Sequence, residues 1–254
     1  MANQGQGSGG SDGPGKIFYT VLVLLVAGGA AALWMARGGS GSSGGGQSGG
    51  QPAPVSAAEA DPSAGVAMGP SDAPVTVAEF ADFQCPHCAQ FQGFTGKLAK
   101  QNFVQERGVV RWVHFDFPLG SFPNSLPAAV AARCAGNQGS YWEMHNWLLS
   151  NQSAWGREGD PTGVFVDQAE SMGLDANRFE TCVEEQRPLE RIQASRAYGK
   201  RVGVTGTPTI FVNGERLPGV PNYETLARVI RAELDSAGVE TSSSGASGGG
   251  TGGS

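Results

Sequence analysis

The apolar positions of this 254-residue chain change period several times, and each change marks an element. Residues 73–80 (APVTVAEF) are apolar and β-branched after the turn-like Asp72-Ala73-Pro74, which predicts a buried strand. From Pro86 to about Glu106 the spacing becomes helical: Phe91, Phe94, Leu98 and Phe103 share a face, and Gly108 ends the run. Residues 109–117 (VVRWVHFDF) return to strand character. A strand–helix–strand unit implies a right-handed crossover and a parallel pair.

Beyond Pro118 the pattern turns helical. Ser140-Tyr141-Trp142-Glu143 has the form of a capping box and predicts a helix through Leu149. Asp160-Pro161 reads as a cap followed by proline at the first helical position, with a stop near Gly173. Asp175 predicts a short helix over residues 178–185, and a longer one follows over Leu189–Arg201. Strand signals then resume. Thr209–Val212 and residues 215–217 flank Asn213-Gly214, the dipeptide that suits a type I′ hairpin turn. Asn222 caps a last amphipathic helix reaching about Ala237, with Leu226, Val229, Ile230 and Leu234 on one face. The predicted order is β-α-β, a helical insert at about residues 120–202, then β-β-α. The folded part is placed at residues 67–237, enough for one well-packed domain.

The ends are of another kind. Most of the forty glycines fall in Gly/Ser-rich tracts, so residues 1–15 and 238–254 are expected to be disordered and residues 38–65 to form a flexible tether. Between the first two tracts, residues 17–35 (IFYTVLVLLVAGGAAALWM) carry no charge and lie between Lys16 and Arg37. At 1.5 Å per residue they reach about 28 Å, enough for one transmembrane helix. Ala30-Ala31-Ala32 leaves open a cleaved secretory signal instead. In either case the remainder is expected outside the cytoplasm. The net charge of −6, with no run of Lys or Arg, argues against nucleic acid as a partner. A monomer is expected.

The candidate chemistry sits where the first strand meets its helix. Residues 85–88 read Cys85-Pro86-His87-Cys88. Unpaired N–H groups and the dipole at a helix N-terminus favour a thiolate on Cys85, and His87 adds a donor or a cation between the sulfurs. Such surroundings bring a thiol from about 8.5 down to roughly 3.5–7.5. Stabilising the thiolate stabilises the reduced protein, which makes the disulfide form the stronger oxidant. Cys88, one turn on, is placed as the resolving thiol. A zinc clip wants four ligands in paired spacing, and the next cysteine is 46 residues away. No metal or other cofactor is called for. Glu79, six residues before Cys85, offers a carboxylate that could carry the proton as Cys88 changes state, or could make an ordinary ion pair. His114 and His145 support no functional role, and Trp142, Trp147 and Phe165 read as core of the insert.

The segments EFADFQCPHC and GVTGTPTIFVNG, with the helical insert between them, resemble the DsbA family of thiol–disulfide oxidoreductases over about residues 67–236. The resemblance implies a thioredoxin-like fold with an inserted helical domain, here preceded by the transmembrane segment, and in the anchored case a place on a bacterial cell membrane with the catalytic domain outside the cytoplasm. It implies that Cys85 is the exposed attacking cysteine, that Pro86 and His87 complete the active-site motif, and that Thr207-Pro208, with Pro208 cis, faces the disulfide and binds an extended substrate strand. The implied partners are partly folded exported proteins bearing cysteines, and a quinone-linked membrane oxidase of the DsbB or VKOR type for reoxidation. A reductase or isomerase on the same scaffold, and a tethered binding module with purely structural cysteines, remain the competing readings. The other two cysteines, Cys134 and Cys182, both fall in the insert. They form a structural disulfide if Cys85 and Cys88 are a pair, or stay as two buried thiols.

Overall fold

The computed structural model describes residues 64–239. The predicted N-terminal tract, the membrane segment and nearly all of the tether and of the tail fall outside the described residues, while Ala64, expected in the tether, is buried against the domain. Among the described residues no helix is long and apolar enough to cross a membrane.

Five strands form one sheet: β1 (Val66–Met68), β2 (Val75–Ala81), β3 (Val110–Asp116), β4 (Thr209–Val212) and β5 (Glu215–Arg216), in the spatial order β1-β3-β2-β4-β5. β2 and β3 run parallel with Glu79 opposite His114. The helix α1 joins them. It is continuous over residues 86–105 but changes pitch, with α-helical Pro86–Phe91 and Lys97–Ala99 each followed by a π-helical stretch, Gln92–Gly96 and Lys100–Gln105. β4 pairs antiparallel with β2, β5 with β4, and β1 with β3. Asn213 and Gly214 both take positive φ (46° and 84°), so the Asn-Gly turn has the backbone its dipeptide favours.

The insert between β3 and β4 comprises α2 (Ser125–Gly136), α3 (Tyr141–Ser150), α4 (Gln152–Trp155), α5 (Thr162–Ser171), α6 (Ala176–Glu184) and α7 (Leu189–Arg201); α8 (Tyr223–Ser236) closes the chain. Asp175 and Asn222 cap α6 and α8, accepting from the N–H of Arg178 and Thr225. The expected capping box at Ser140 does not form. Ser140 has ψ 36°, not the extended backbone a cap needs, and its hydroxyl makes no cap bond. Pro161 stands at the cap of α5 and not at its first helical position, while the Asp160 carboxylate accepts from the N–H of Thr162.

Three apolar clusters meet at the sheet. On one face, Val77, Trp112, Ile210 and Val212 pack with Phe91 and Phe103 of α1 and with Leu226, Ile230 and Leu234 of α8. On the other face, Phe80, Phe115, Phe117 and Phe211 pack against Tyr198 of α7. This contact is close: a Cβ on Gly199 would lie 2.7 Å from Phe117 and 2.9 Å from Phe80. The third cluster is the insert's own core, with Met144, Leu148, Trp155, Phe165 and Phe179, and it extends to Phe83, Cys85 and Cys88. The insert is therefore packed directly behind the two cysteines.

Candidate active site

β2 ends at Ala81, and the chain turns through residues 82–84 before Cys85 caps α1 in extended conformation, with Pro86 opening the first turn. The Cys85 carbonyl accepts from the N–H of Cys88 (3.1 Å) and of Ala89 (3.2 Å), which starts the helix. Both thiols are free and buried, so the expectation of an exposed Cys85 is corrected: tucked behind the turn it is 4 % exposed, and only Pro86 and His87 of the motif are exposed. Across from them the Thr207-Pro208 bond is cis, and the Cys85 thiol lies 3.5 Å from the Thr207 carbonyl oxygen.

The two thiols are made unequal by their surroundings. A bond from the Cys88 thiol holds Cys85 down to about 5, helped by the N–H groups of Cys88 and His87 and opposed by burial. Burial pushes Cys88 well above the ordinary thiol range, and the neighbouring Cys85 sulfur pushes the same way. His87 contributes its backbone N–H, while its side chain is exposed.

Glu79 is fully buried, on the face of β2 that meets α1. Its carboxylate accepts from Gln92 Nε2 and from Trp112 Nε1 (2.9 Å), and Gln92 Oε1 in turn accepts from Lys100 Nζ at 2.7 Å. Gln92 and Lys100 each open a π-helical stretch of α1, so the change in pitch turns both inward toward Glu79. Burial brings Lys100 down to about 8 against the pull of Glu79. The ordinary ion pair considered for Glu79 is thus replaced by a contact relayed through Gln92, and no hydrogen bond joins Glu79 to either thiol among the described residues. His114 and His145 are also fully buried, with His145 Nε2 3.2 Å from His114 Nδ1. Glu79, His114 and His145 bring three ligand atoms within 4.8 Å of one another and could hold a metal ion. Lys100, whose charge acts on both Glu79 and His145, already supplies a cation there.

Other groups that hold the active-site turn carry no motif in the sequence. Gln152 Nε2 donates to the carbonyls of Phe83 (2.7 Å) and Cys85 (3.0 Å). Gln84 donates to the Gly156 carbonyl (2.7 Å) and accepts from the N–H of Asn124 (2.6 Å). Asp82, 1 % exposed, donates its N–H to Cys88 Sγ at 3.5 Å. Its signal in the sequence is a lone acid within the apolar run FADF, three residues ahead of Cys85. Away from the site, Cys134 and Cys182 are joined in a disulfide that ties α2 to α6, with an S–S distance of 2.06 Å.

A strand, a Cys-x-x-Cys helix start and an opposed cis-proline loop define the thioredoxin class of site. The thioredoxin family profile matches residues 62–232, and the chain belongs to that family. The DsbA-like form of the fold, with its helical insert, is shared with solved structures. Oxidised BdbD from Bacillus subtilis superposes with a TM-score of 0.63 at 23% identity, over 68% of this chain and 95% of that one. α-DsbA1 from Wolbachia pipientis gives 0.62 at 21%, over 69% and 93%. A thioredoxin-like oxidoreductase from Silicibacter pomeroyi gives 0.54 at 25%, over 70% and 94%. Among curated sequences the chain is 36% identical over 178 residues to the Na(+)/H(+) antiporter NhaA 3 of Salinispora tropica, a match covering 70% of this chain and 26% of that protein. It is 37% identical over 171 residues to NhaA 1 of Salinispora arenicola, over 67% and 25%. The chain thus spans about a quarter of the length of these curated relatives.

Proposed function

We propose that this protein is an extracytoplasmic dithiol oxidase that passes a Cys85–Cys88 disulfide to exported proteins bearing cysteines. The observation that carries the reading is the inequality of the two thiols: Cys85 at about 5 against Cys88 far above it. A substrate thiolate attacks Cys85 Sγ, and the Cys85–Cys88 bond breaks. Its electron pair leaves on Cys88, which takes up a proton. A second substrate thiolate then attacks the substrate sulfur of the mixed disulfide and expels Cys85. The lower the pKa of the expelled thiol, the faster it leaves, so Cys85 suits the second step. The exposed Pro86-His87 turn and the Thr207 carbonyl beside Cys85 offer backbone to an extended substrate segment.

The reduced enzyme needs a partner to take its two electrons. The resemblance supports a quinone-linked membrane oxidase of the DsbB or VKOR type, which an anchor at residues 17–35 would keep near the domain. The match to the antiporters spans about a quarter of those proteins and brings no transport reading to this chain.

The test is equilibration of the full chain in glutathione buffers, with Cys85→Ser as control. A potential well above thioredoxin's, at about −270 mV, is the expected result. A value at or below it would overturn the oxidase and favour a reductase or isomerase fed by an electron donor. A pair that does not exchange with glutathione at all would leave only a binding module with structural cysteines.

A further inference from the structure

We infer that Asp82 is a positioning residue of the redox pair, its carboxylate charge opposing the Cys85 thiolate and thereby limiting how strongly the disulfide form oxidises. The inference rests on the proposed redox role of Cys85 and Cys88. Asp82 follows the last residue of β2 and is almost wholly buried, and its carboxylate is met by donors from three elements. Oδ1 accepts from the N–H of Gln84 at 2.8 Å, and Oδ2 from the N–H of Leu119 at 2.6 Å. The Ser125 hydroxyl lies 2.7 Å from both oxygens. These donors come from the active-site turn, the loop after β3 and the first turn of α2, so the insert takes part in holding the charge.

Burial raises the Asp82 pKa most, the three donors pull it back, and the Cys85 thiolate adds a further rise. The groups acting on its carboxylate are the Gln84 N–H and Cys85 from the turn, Ser125 from α2, and the Leu119 N–H from the loop after β3. From α7, Arg196 lines the same groove as Leu119 and Ser125. Glu79, three residues back on β2, is engaged with Gln92 and Trp112 instead. Asp82 is thus tied to the pair by geometry twice, its N–H on Cys88 Sγ and its carbonyl accepting from the Cys85 N–H at 3.1 Å, and the Cys85 charge is felt at its carboxylate.

The consequence follows from the balance of the reduction. Two glutathione thiols supply two electrons, the Cys85–Cys88 bond breaks, Cys85 becomes a thiolate and Cys88 takes a proton. The new thiolate then lies in the field of a buried carboxylate, which disfavours the reduced form. At acidic pH, where the thiolate holds the Asp82 pKa higher in the reduced form than in the disulfide form, reduction takes up part of a further proton at the carboxylate.

The test measures the glutathione equilibrium of the full chain against pH for the wild type, Asp82→Asn and Ser125→Ala. Asp82→Asn removes the opposing charge, so at neutral pH the constant for reduction rises about threefold or more. That gain shrinks as the pH falls into the range where Asp82 of the wild type protonates. A carboxylate that only pins the loop predicts no change in the constant, or a change that is the same at every pH, and either result overturns the inference. Should Asp82→Asn fail to fold, Ser125→Ala decides. It keeps the charge but removes one donor, so the acid limb of the pH profile moves to higher pH, and an unmoved limb overturns the inference. Failure of the wild-type pair to exchange with glutathione would overturn the redox role itself, a result distinct from an indifferent Asp82.

Discussion

Between Cys85 and Cys88 the decisive difference is access to N–H groups and water. Cys85 caps a helix and takes a bond from its partner thiol, while Cys88 lies beneath the first turn. Alkylation of the reduced protein should therefore be confined to Cys85, with its rate half-maximal near pH 5 and level by neutral pH. In Cys88→Ala the midpoint should move up, because the largest cause of the low value is gone. A midpoint at the ordinary thiol value in the wild type would remove the main support for the oxidase reading. The sign for stability follows from the same shift. A folded pKa below the unfolded 9.0 means that the reduced protein gains stability over Cys85→Ser as pH rises from about 5, in full above 9.0, and loses it as pH falls through about 5. Chemical denaturation of both proteins across that range checks it.

At the scale of elements, α7 reaches the sheet only because Gly199 has no side chain. Gly199→Ala would press a methyl group onto Phe80 and Phe117, and should cost about 1–3 kcal/mol in denaturant unfolding. The α2–α6 disulfide works through the unfolded chain. Its sequence separation of 48 closes a long loop, so replacing both Cys134 and Cys182 by alanine should cost about 4 kcal/mol by the loop-entropy estimate. The Cys85–Cys88 glutathione equilibrium should stay unchanged in that variant, since the bridge lies away from the site. Helix α1 shows where periodicity misleads. Phe94 falls on the apolar face of an ideal helix, yet it is 65% exposed, because the π-helical Gln92–Gly96 turn shifts the phase and brings Gln92, Thr95 and Gly96 inward.

Across the whole domain, sheet and insert are joined by buried polar contacts as well as by the apolar core. Arg133 on α2 donates from Nε to Asp116 Oδ2 at the end of β3 (2.5 Å) and from Nη2 to the Ala64 carbonyl (2.6 Å). Burial alone would raise the Asp116 carboxyl, but Arg133 and His114 hold it below its ordinary 3.8. The contribution of this pair is therefore present above that value and is lost as pH falls through the lower folded one. Arg133→Met leaves a buried carboxylate without its cation and should cost about 3–5 kcal/mol, read from the unfolding midpoint. Retained wild-type stability would mean that water or another group reaches Asp116.

Much of the fold was legible because its signals act over a few residues. The Asn213-Gly214 turn, the Asp175 and Asn222 caps, and the strand running into Cys85-Pro86-His87-Cys88 each rest on contacts within one turn of chain. β1, three residues long, left no such signal, because its pairing partner β3 lies more than forty residues away. The capping box at Ser140 was written in the sequence but overruled by the backbone of the turn before α3. The cysteines and the cis-proline loop were legible as chemistry, whereas their setting was not. Asp82 meets Ser125, Glu79 meets Lys100 through Gln92, and Gln152 grips the Cys85 carbonyl only after the insert has packed against the sheet. The sequence determined which residues could do thiol chemistry and, β1 apart, which stretches would become strand or helix. Tertiary packing decided which buried charges face the sulfurs, because desolvation and hydrogen bonding depend on neighbours that are distant in the chain.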